Sequence, residues 1–303
     1  MKIAVLSFTS GKIDRGVETV VGELVKRWRK NHQVKVYSSL GLGINDLQKF
    51  NWQALKEANK FGADIIMPMN GGWQSLLCRW WCWRAGAKLV ISGQAGLGWC
   101  DGWNLLMRPD VFAALSERNK KWAKKLYGKG VRVEVVPNGV DLKRFKSEGN
   151  KINFGLKRPI ILCVASKDKY KRVEATKKAV KKLGKGSFLW IGGERKFKHE
   201  MMPLVYRSAD VFTLVSESSE AFGNVYLEAL ASGLPIVATD DELRREILGS
   251  YGTYVKDVWG KEYPEKLELA LKKRKDPTLP KKWLEKYSWD IIAQEYLNIF
   301  KSL

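Results

Sequence analysis

Two carboxylates, Glu220 and Glu228, frame the stretch Glu-Ala-Phe-Gly-Asn-Val-Tyr-Leu-Glu, with seven residues between them. The stretch follows an apolar run, residues 211–215, that reads as a strand. It leads to Gly233 and Pro235, which stop a helix. The helix between these signals must begin near Gly223 or Asn224. The first N–H groups of such a helix lack backbone partners and sit at the positive end of its dipole. A loop that enters the helix from the C-terminal end of a strand is therefore a natural anion site. Open parallel sheets bind their ligands in that crevice. Glu220 falls in the loop and Glu228 one turn inside the helix. Carboxylates at those places suit neutral hydroxyls better than phosphates.

The elements that must position these groups can be read from apolar patterning. Residues 3–8, 34–37, 64–69, 88–92, 111–115 and 131–136 form short apolar runs typical of buried parallel strands. Between them, Val17, Val20, Val21, Leu24, Val25 and Trp28 recur at helical spacing, and residues 73–84 form a second helical segment. Residues 137–141, Pro-Asn-Gly-Val-Asp, are turn chemistry, and residues 146–157 are polar. The alternation then restarts with strands at 159–165, 187–191, 211–215 and 235–238 and helices at 173–183 and 225–232. A last helix begins near Ser288. Strands alternating with helices predict an α/β protein with two Rossmann-like parallel-sheet domains. The expected boundaries are 1–143 and 152–287, with residues 288–303 returning to the first domain.

The chain has 303 residues, 45% of them hydrophobic, which excludes wholesale disorder. It carries 54 Lys+Arg against 32 Asp+Glu, a net charge of +22, which favours an anionic partner. No helix-turn-helix, RRM or zinc-finger pattern supports nucleic acid. The opening run is too short for a signal-peptide core, and no stretch is apolar enough to span a bilayer. Cys78 and Cys82 have helix spacing, and the two histidines, His32 and His199, lie far from them in sequence, so no metal site is expected. These features read as a reduced, cytoplasmic protein. Asp240-Asp241 reads as a helix N-cap. Six of the 13 tryptophans fall between Trp73 and Trp103. Arg79-Trp80-Trp81-Cys82-Trp83-Arg84 is expected to expose a cationic, aromatic surface suited to an anionic membrane interface. Trp99 and Trp103 are expected on a loop after the 88–92 strand, where they could stack on a sugar or lipid chain.

The Glu220–Pro235 segment closely resembles the signature of retaining glycosyltransferases of family 4, which have the GT-B fold. Val136-Pro137-Asn138-Gly139-Val140-Asp141 with Phe145 resembles that family's interdomain segment. Arg15-Gly16-Val17-Glu18 is similar to its glycine loop, Tyr170-Lys171-Arg172 to its phosphate-binding lysine site, and Tyr287-Ser288-Trp289-Asp290 to the start of its C-terminal helix. The resemblance implies a metal-independent enzyme that moves a sugar from a nucleotide-diphosphate sugar to an acceptor hydroxyl with retention. Glu220 would contact the donor sugar. The N–H groups of Phe222, Gly223 and Asn224 would hold the diphosphate and sugar, and Glu228 would hold the ribose. Lys171 would neutralise the leaving diphosphate, and Gly16 would let the first-domain loop approach it.

Three departures from the family pattern stand out. Ser166 occupies the place of an Arg. Gln94 replaces a His that commonly follows the 88–92 strand. The segment after Gly192-Gly193 lacks a strand-and-loop unit that often contacts the base. The expected acceptor is lipid-linked or a polysaccharide, handled at the inner face of a membrane in envelope glycan synthesis. A nucleotide-sugar epimerase and a non-catalytic GT-B module remain alternatives.

Overall fold

The structure is a computed structural model that describes residues 1–12, 16–127, 130–273 and 281–303. The chain divides into two compact units, Met1–Gly139 with Trp289–Leu303, and Val140–Ser288.

The first unit runs β1 (Lys2–Leu6), α1 (Gly16–Trp28), β2 (Gln33–Tyr37), α2 (Ser39–Leu42), α3 (Leu47–Phe61), β3 (Ile65–Pro68), α4 (Trp73–Ala85), β4 (Lys88–Ser92), α5 (Trp99–Leu106), β5 (Val111–Ala114), α6 (Glu117–Tyr127) and β6 (Val133–Val135). Its six strands are all parallel, in the order β2-β1-β3-β4-β5-β6. Successive side chains of a strand point to opposite faces, so the sheet has two cores. Ile3, Val5, Met67 and Val90 pack on one face against Leu24 and Trp28 of α1. Ala4, Leu6, Ile66, Leu89 and Ile91 pack on the other against α3, α4 and α6.

The second unit runs β7 (Ile160–Val164), α7 (Val173–Leu183), β8 (Ser187–Ile191), α8 (Met202–Ser208), β9 (Val211–Leu214), α9 (Asn224–Ala231), β10 (Ile236–Thr239), α10 (Glu242–Leu248), β11 (Gly252–Val255), α11 (Glu262–Lys272) and α12 (Lys281–Glu285). Its parallel sheet has the order β11-β10-β9-β7-β8. The chain passes from β7 to β8 on one side and then crosses to β9 on the other. The topological switch point is therefore between β7 and β9. In the first unit the same reversal falls between β1 and β3.

The last helix, α13 (Trp289–Lys301), returns to the first unit. Trp28 is almost fully buried there, edge-on to Tyr296 and Phe300, and its indole donates to the Ala293 carbonyl at 3.0 Å. Gly139 is required beside this helix, because a Cβ there would lie 2.6 Å from the Trp289 ring. No helix among the described residues is long and apolar enough to cross a membrane.

Two expectations need correction. Trp99 and Trp103 lie on helix α5, not on a loop. Residues 47–61, which alternation alone did not single out, form the long helix α3, capped by Asp46 and closed by Gly62.

Trp28→Ala should lower the unfolding free energy by about 3–5 kcal/mol, the usual cost of emptying a large aromatic site. Urea unfolding of the purified variant measures this.

Candidate functional site

The loops after β7 and β9 leave the C-terminal ends of neighbouring strands, and each contributes one charge. Lys171 sits on a single 3-10 turn, Lys169–Lys171. Glu220 sits in the loop before α9. They meet at 2.5 Å, with side chains only 14% and 9% exposed. Burial pulls the Lys171 ammonium down, but the Glu220 charge and hydrogen bond outweigh it and hold its pKa above the ordinary lysine value. The two loops are also joined by their backbones, Glu217 N donating to Tyr170 O at 2.8 Å. An ammonium has three N–H donors and Glu220 takes one of them, so the same cation can also serve an anion.

Helix α9 begins where the sequence placed it. Gly223 has φ +91° and no side chain caps the helix there. A Cβ on Gly223 would lie 2.7 Å from the Tyr226 ring, so glycine is required on both backbone and steric grounds. Phe222 is buried against Tyr287, which leaves its backbone, with those of Gly223 and Asn224, to shape the helix entry. One turn in, Glu228 accepts from the Tyr206 hydroxyl at 2.8 Å and lies 3.3 Å from His199 Nε2. Burial, with the Glu228 charge added to it, pushes the Tyr206 phenol well above its ordinary value, so it stays a donor.

Sequence reasoning missed what holds this loop. Arg244 of α10 is fully buried. Its guanidinium donates to Ser216 Oγ at 2.5 Å, to the Glu217 carbonyl at 2.9 Å and to Asp241 at 2.6 Å, and it approaches the Tyr226 hydroxyl at 3.5 Å. Burial lowers its pKa, but Tyr226 and Asp241 outweigh that and raise it. Arg244 and Arg245 are adjacent, so on a helix they point to different sides. Arg245 reaches outward to Asp240, and nothing in the sequence says which of the two turns in. Asp241 is the N-cap of α10, accepting from Arg244 N at 2.9 Å.

The segment after Gly192-Gly193 holds a short 3-10 turn, His199–Met201, and α8, with no strand. His199, also missed, is therefore what approaches Glu228. Ser166 donates to Asp168.

The remaining candidates lie in the first unit and do not form one cluster. Gly16 opens α1 after β1 and is exposed, while Arg15 lies outside the described residues. Gln94 exchanges two hydrogen bonds with Asn138, at 2.9 and 3.1 Å, and donates to Ser92 at 2.8 Å. The Arg79–Arg84 surface is corrected in part. Arg79 turns in to Asp110 at 2.9 Å, and Trp81 is half-buried against the core. Trp80, Trp83 and Arg84 do face outward. Trp99 and Trp103 lie against each other at 6.2 Å.

Asp101, unremarked in the sequence, fixes the loop after Gln94 by accepting from Gly96 N at 2.9 Å, Ala95 N at 3.2 Å and Asn104 at 3.0 Å. Burial pushes its carboxyl up to about 6 against the pull of those bonds. Among the described residues, no group of three or more His, Cys, Asp or Glu is placed to hold a metal ion.

With this geometry in place, comparison with known proteins is informative. Residues 196–286 match the family model described as glycosyl transferases group 1. A probable sucrose-phosphate synthase of Thermosipho melanesiensis is 33% identical over 140 residues. That match covers 43% of this chain and 29% of the relative, so the chain spans under a third of that protein's length. A GDP-mannose-dependent monoacylated alpha-(1-6)-phosphatidylinositol monomannoside mannosyltransferase of Corynebacterium glutamicum is 23% identical over 275 residues, 72% of this chain and 71% of that one. Anabaena HepE, solved in complex with UDP and glucose, superposes with a TM-score of 0.79 at 16% identity, covering both chains completely. The fold is GT-B.

Arg244→Met should strand the Ser216 and Glu217 acceptors and cost about 3–5 kcal/mol of unfolding free energy, as removing one partner of a buried charged network does. Denaturant titration reads this directly. Asp101 gives a pH signature. Its carboxyl is raised from 3.8 to about 6 in the folded chain, so its contribution is fully present below the unfolded value and is lost as pH rises through 6. The stability of the wild type relative to Asp101→Asn should fall by about 2.4 kcal/mol between pH 4 and pH 8, measured by urea unfolding at each pH.

Proposed function

We propose that the chain is a glycosyltransferase that moves a sugar from a nucleotide-diphosphate sugar to an acceptor hydroxyl with retention of configuration. The observation that carries this reading is the Lys171–Glu220 pair at the β7/β9 switch point, beside the N-terminus of α9. A diphosphate there would meet a helix N-terminus and an ammonium, and a sugar would meet a carboxylate able to accept from its hydroxyls. The match over residues 196–286 supports the reading, because it contains both Glu220 and Glu228. So do the nucleotide sugars named for two similar proteins, UDP-glucose in complex with HepE and the GDP-mannose on which the mannosyltransferase depends.

In this mechanism the bond from the anomeric carbon to the diphosphate oxygen breaks as the acceptor oxygen attacks from the same face. The acceptor proton passes to the departing phosphate. Lys171 and the N–H groups of Phe222, Gly223 and Asn224 neutralise the charge that develops on that phosphate, in the role a divalent metal plays elsewhere. Glu220 orients the sugar. Glu228, held by Tyr206 and His199, retains acceptor sites for ribose hydroxyls. Gly16 gives the loop after β1 the freedom to approach a phosphate. The acceptor is lipid-linked or polysaccharide, and the work is envelope glycan synthesis at the cytoplasmic surface of a membrane.

Thermal-shift screening with UDP-, GDP- and ADP-sugars should yield one clear donor, since a ligand at a hundred times its Kd adds about 2.7 kcal/mol of stability. With that donor, Lys171→Ala should lower kcat by about 10²–10³, the usual cost of losing one group that stabilises transition-state charge. Glu220→Ala should abolish transfer. Unchanged turnover in either variant would sink the site, and conversion of the donor with no acceptor present would point to an epimerase.

A further inference from the structure

We propose that the exposed tryptophan face of α3 and α4 docks the protein onto an anionic lipid bilayer. This deepens the membrane-side reading above and rests on it only for the acceptor that the surface would deliver.

Helix α4 buries small and polar side chains and exposes large aromatic ones. Its inward face carries Gln74, Ser75, Cys78 and Cys82, each at most 1% exposed. Its outward face carries Trp73 at 67%, Trp80 at 42% and Trp83 at 76% exposure. An ordinary amphipathic helix does the reverse. The inward polar groups are satisfied. Gln74 donates to Asn51 at 2.8 Å and accepts from Asn70 N at 3.0 Å, and Ser75 donates to Asn104 at 2.6 Å. The core is thus complete without Trp73, Trp80 and Trp83. At 100° per residue, positions 73, 80, 83 and 84 fall within an arc of about 100° that runs about 16 Å along the helix.

The face continues at both ends. Trp52 of α3 meets Trp80 edge-on at 6.0 Å. At the start of α4 the Trp103 indole donates to the Gly72 carbonyl at 3.2 Å and carries Trp99, 82% exposed, beside it. That end lies at the carboxyl ends of β1 and β3, the switch point of the first unit.

The charges identify the occupant. Arg84 stacks over Trp80 at 5.4 Å. Lys49 and Lys56, both exposed, flank Trp52 by one turn on either side. α4 contains no carboxylate. Indoles prefer the headgroup level of a bilayer, and nearby Lys and Arg meet anionic lipid phosphates. A second copy of the chain would set these cations against themselves.

The test uses the full chain with vesicles of phosphatidylcholine, with and without phosphatidylglycerol. The wild type should sediment with the anionic vesicles, less so as salt rises, and brominated lipid should quench its tryptophan fluorescence. Trp73→Ser with Trp83→Ser should weaken binding about tenfold or more, as apolar insertion is lost. Arg84→Glu should weaken it about fivefold or more. Lys181→Glu, on the exposed face of α7 in the second unit, should bind nearly as the wild type does. The donor-induced thermal shift should be the same in all of these variants, so that failure of docking and failure of the donor site are told apart. Absence of wild-type binding to anionic vesicles would overturn the proposal. So would undiminished binding by the double tryptophan variant, or a wild-type dimer that this variant turns into a monomer.

Discussion

Bringing the Lys171 ammonium to 2.5 Å from Glu220 takes two charges largely out of water. Such a pair is stable only where geometry is good and neighbouring groups satisfy what remains, because desolvation costs several kcal/mol per ion. Neither residue lies on a strand or a long helix. Each depends on a loop, and the loops depend on what lies beneath them. Arg244 holds the Ser216–Glu217 start of one loop from inside, and the bond from Glu217 N to Tyr170 O ties it to the other. Lys171 thus holds Glu220 directly, while Arg244 holds the start of the loop that carries it. A well-packed apolar cluster would stabilise the same place at lower cost, so these charges are not what folding alone would choose here.

The pair also explains why the position in the sheet matters. β7 sends its chain to β8 on one side, and β9 starts on the other, so the switch point falls between β7 and β9, where the loops that carry Lys171 and Glu220 meet. The short connection from Gly192 to α8 changes the surroundings of that switch point. Without a further strand there, His199 and Tyr206 both reach Glu228. The carboxylate is thereby held by two side chains of that segment.

Much of this was legible beforehand, and the parts that were not share a cause. The start of α9 was readable because Gly223 needs a positive φ and Gly233-Leu234-Pro235 forbids continuation, both local signals. The strands were readable because buried parallel strands are apolar throughout. The pairing of Lys171 with Glu220 was not readable, since 49 positions separate them and only the order of strands brings them together. Arg244 was hidden because a charged residue in a charged helix reads as solvent-facing. Helix α3 was hidden because lysines and asparagines interrupt its apolar positions. α5 was hidden because its tryptophans resemble a ligand loop.

The same reasoning reassigns the charge of +22. An excess of lysine says only that an anion is welcome somewhere. In the second unit the cation set apart is Lys171, largely buried against Glu220, while exposed neighbours such as Lys181 and Lys182 line a solvated helix face. In the first unit the informative feature is the sorting of side chains. Arg79 turns inward to Asp110, Arg84 stays outside over Trp80, and Gln74 and Ser75 of α4 are buried while Trp73, Trp80 and Trp83 face out. A helix whose only cost is solvation gains nothing from that arrangement in water. It becomes favourable where the outer medium is itself part apolar and part anionic. On this ground the exposed face of α4, more than the total charge, bears on where the protein works.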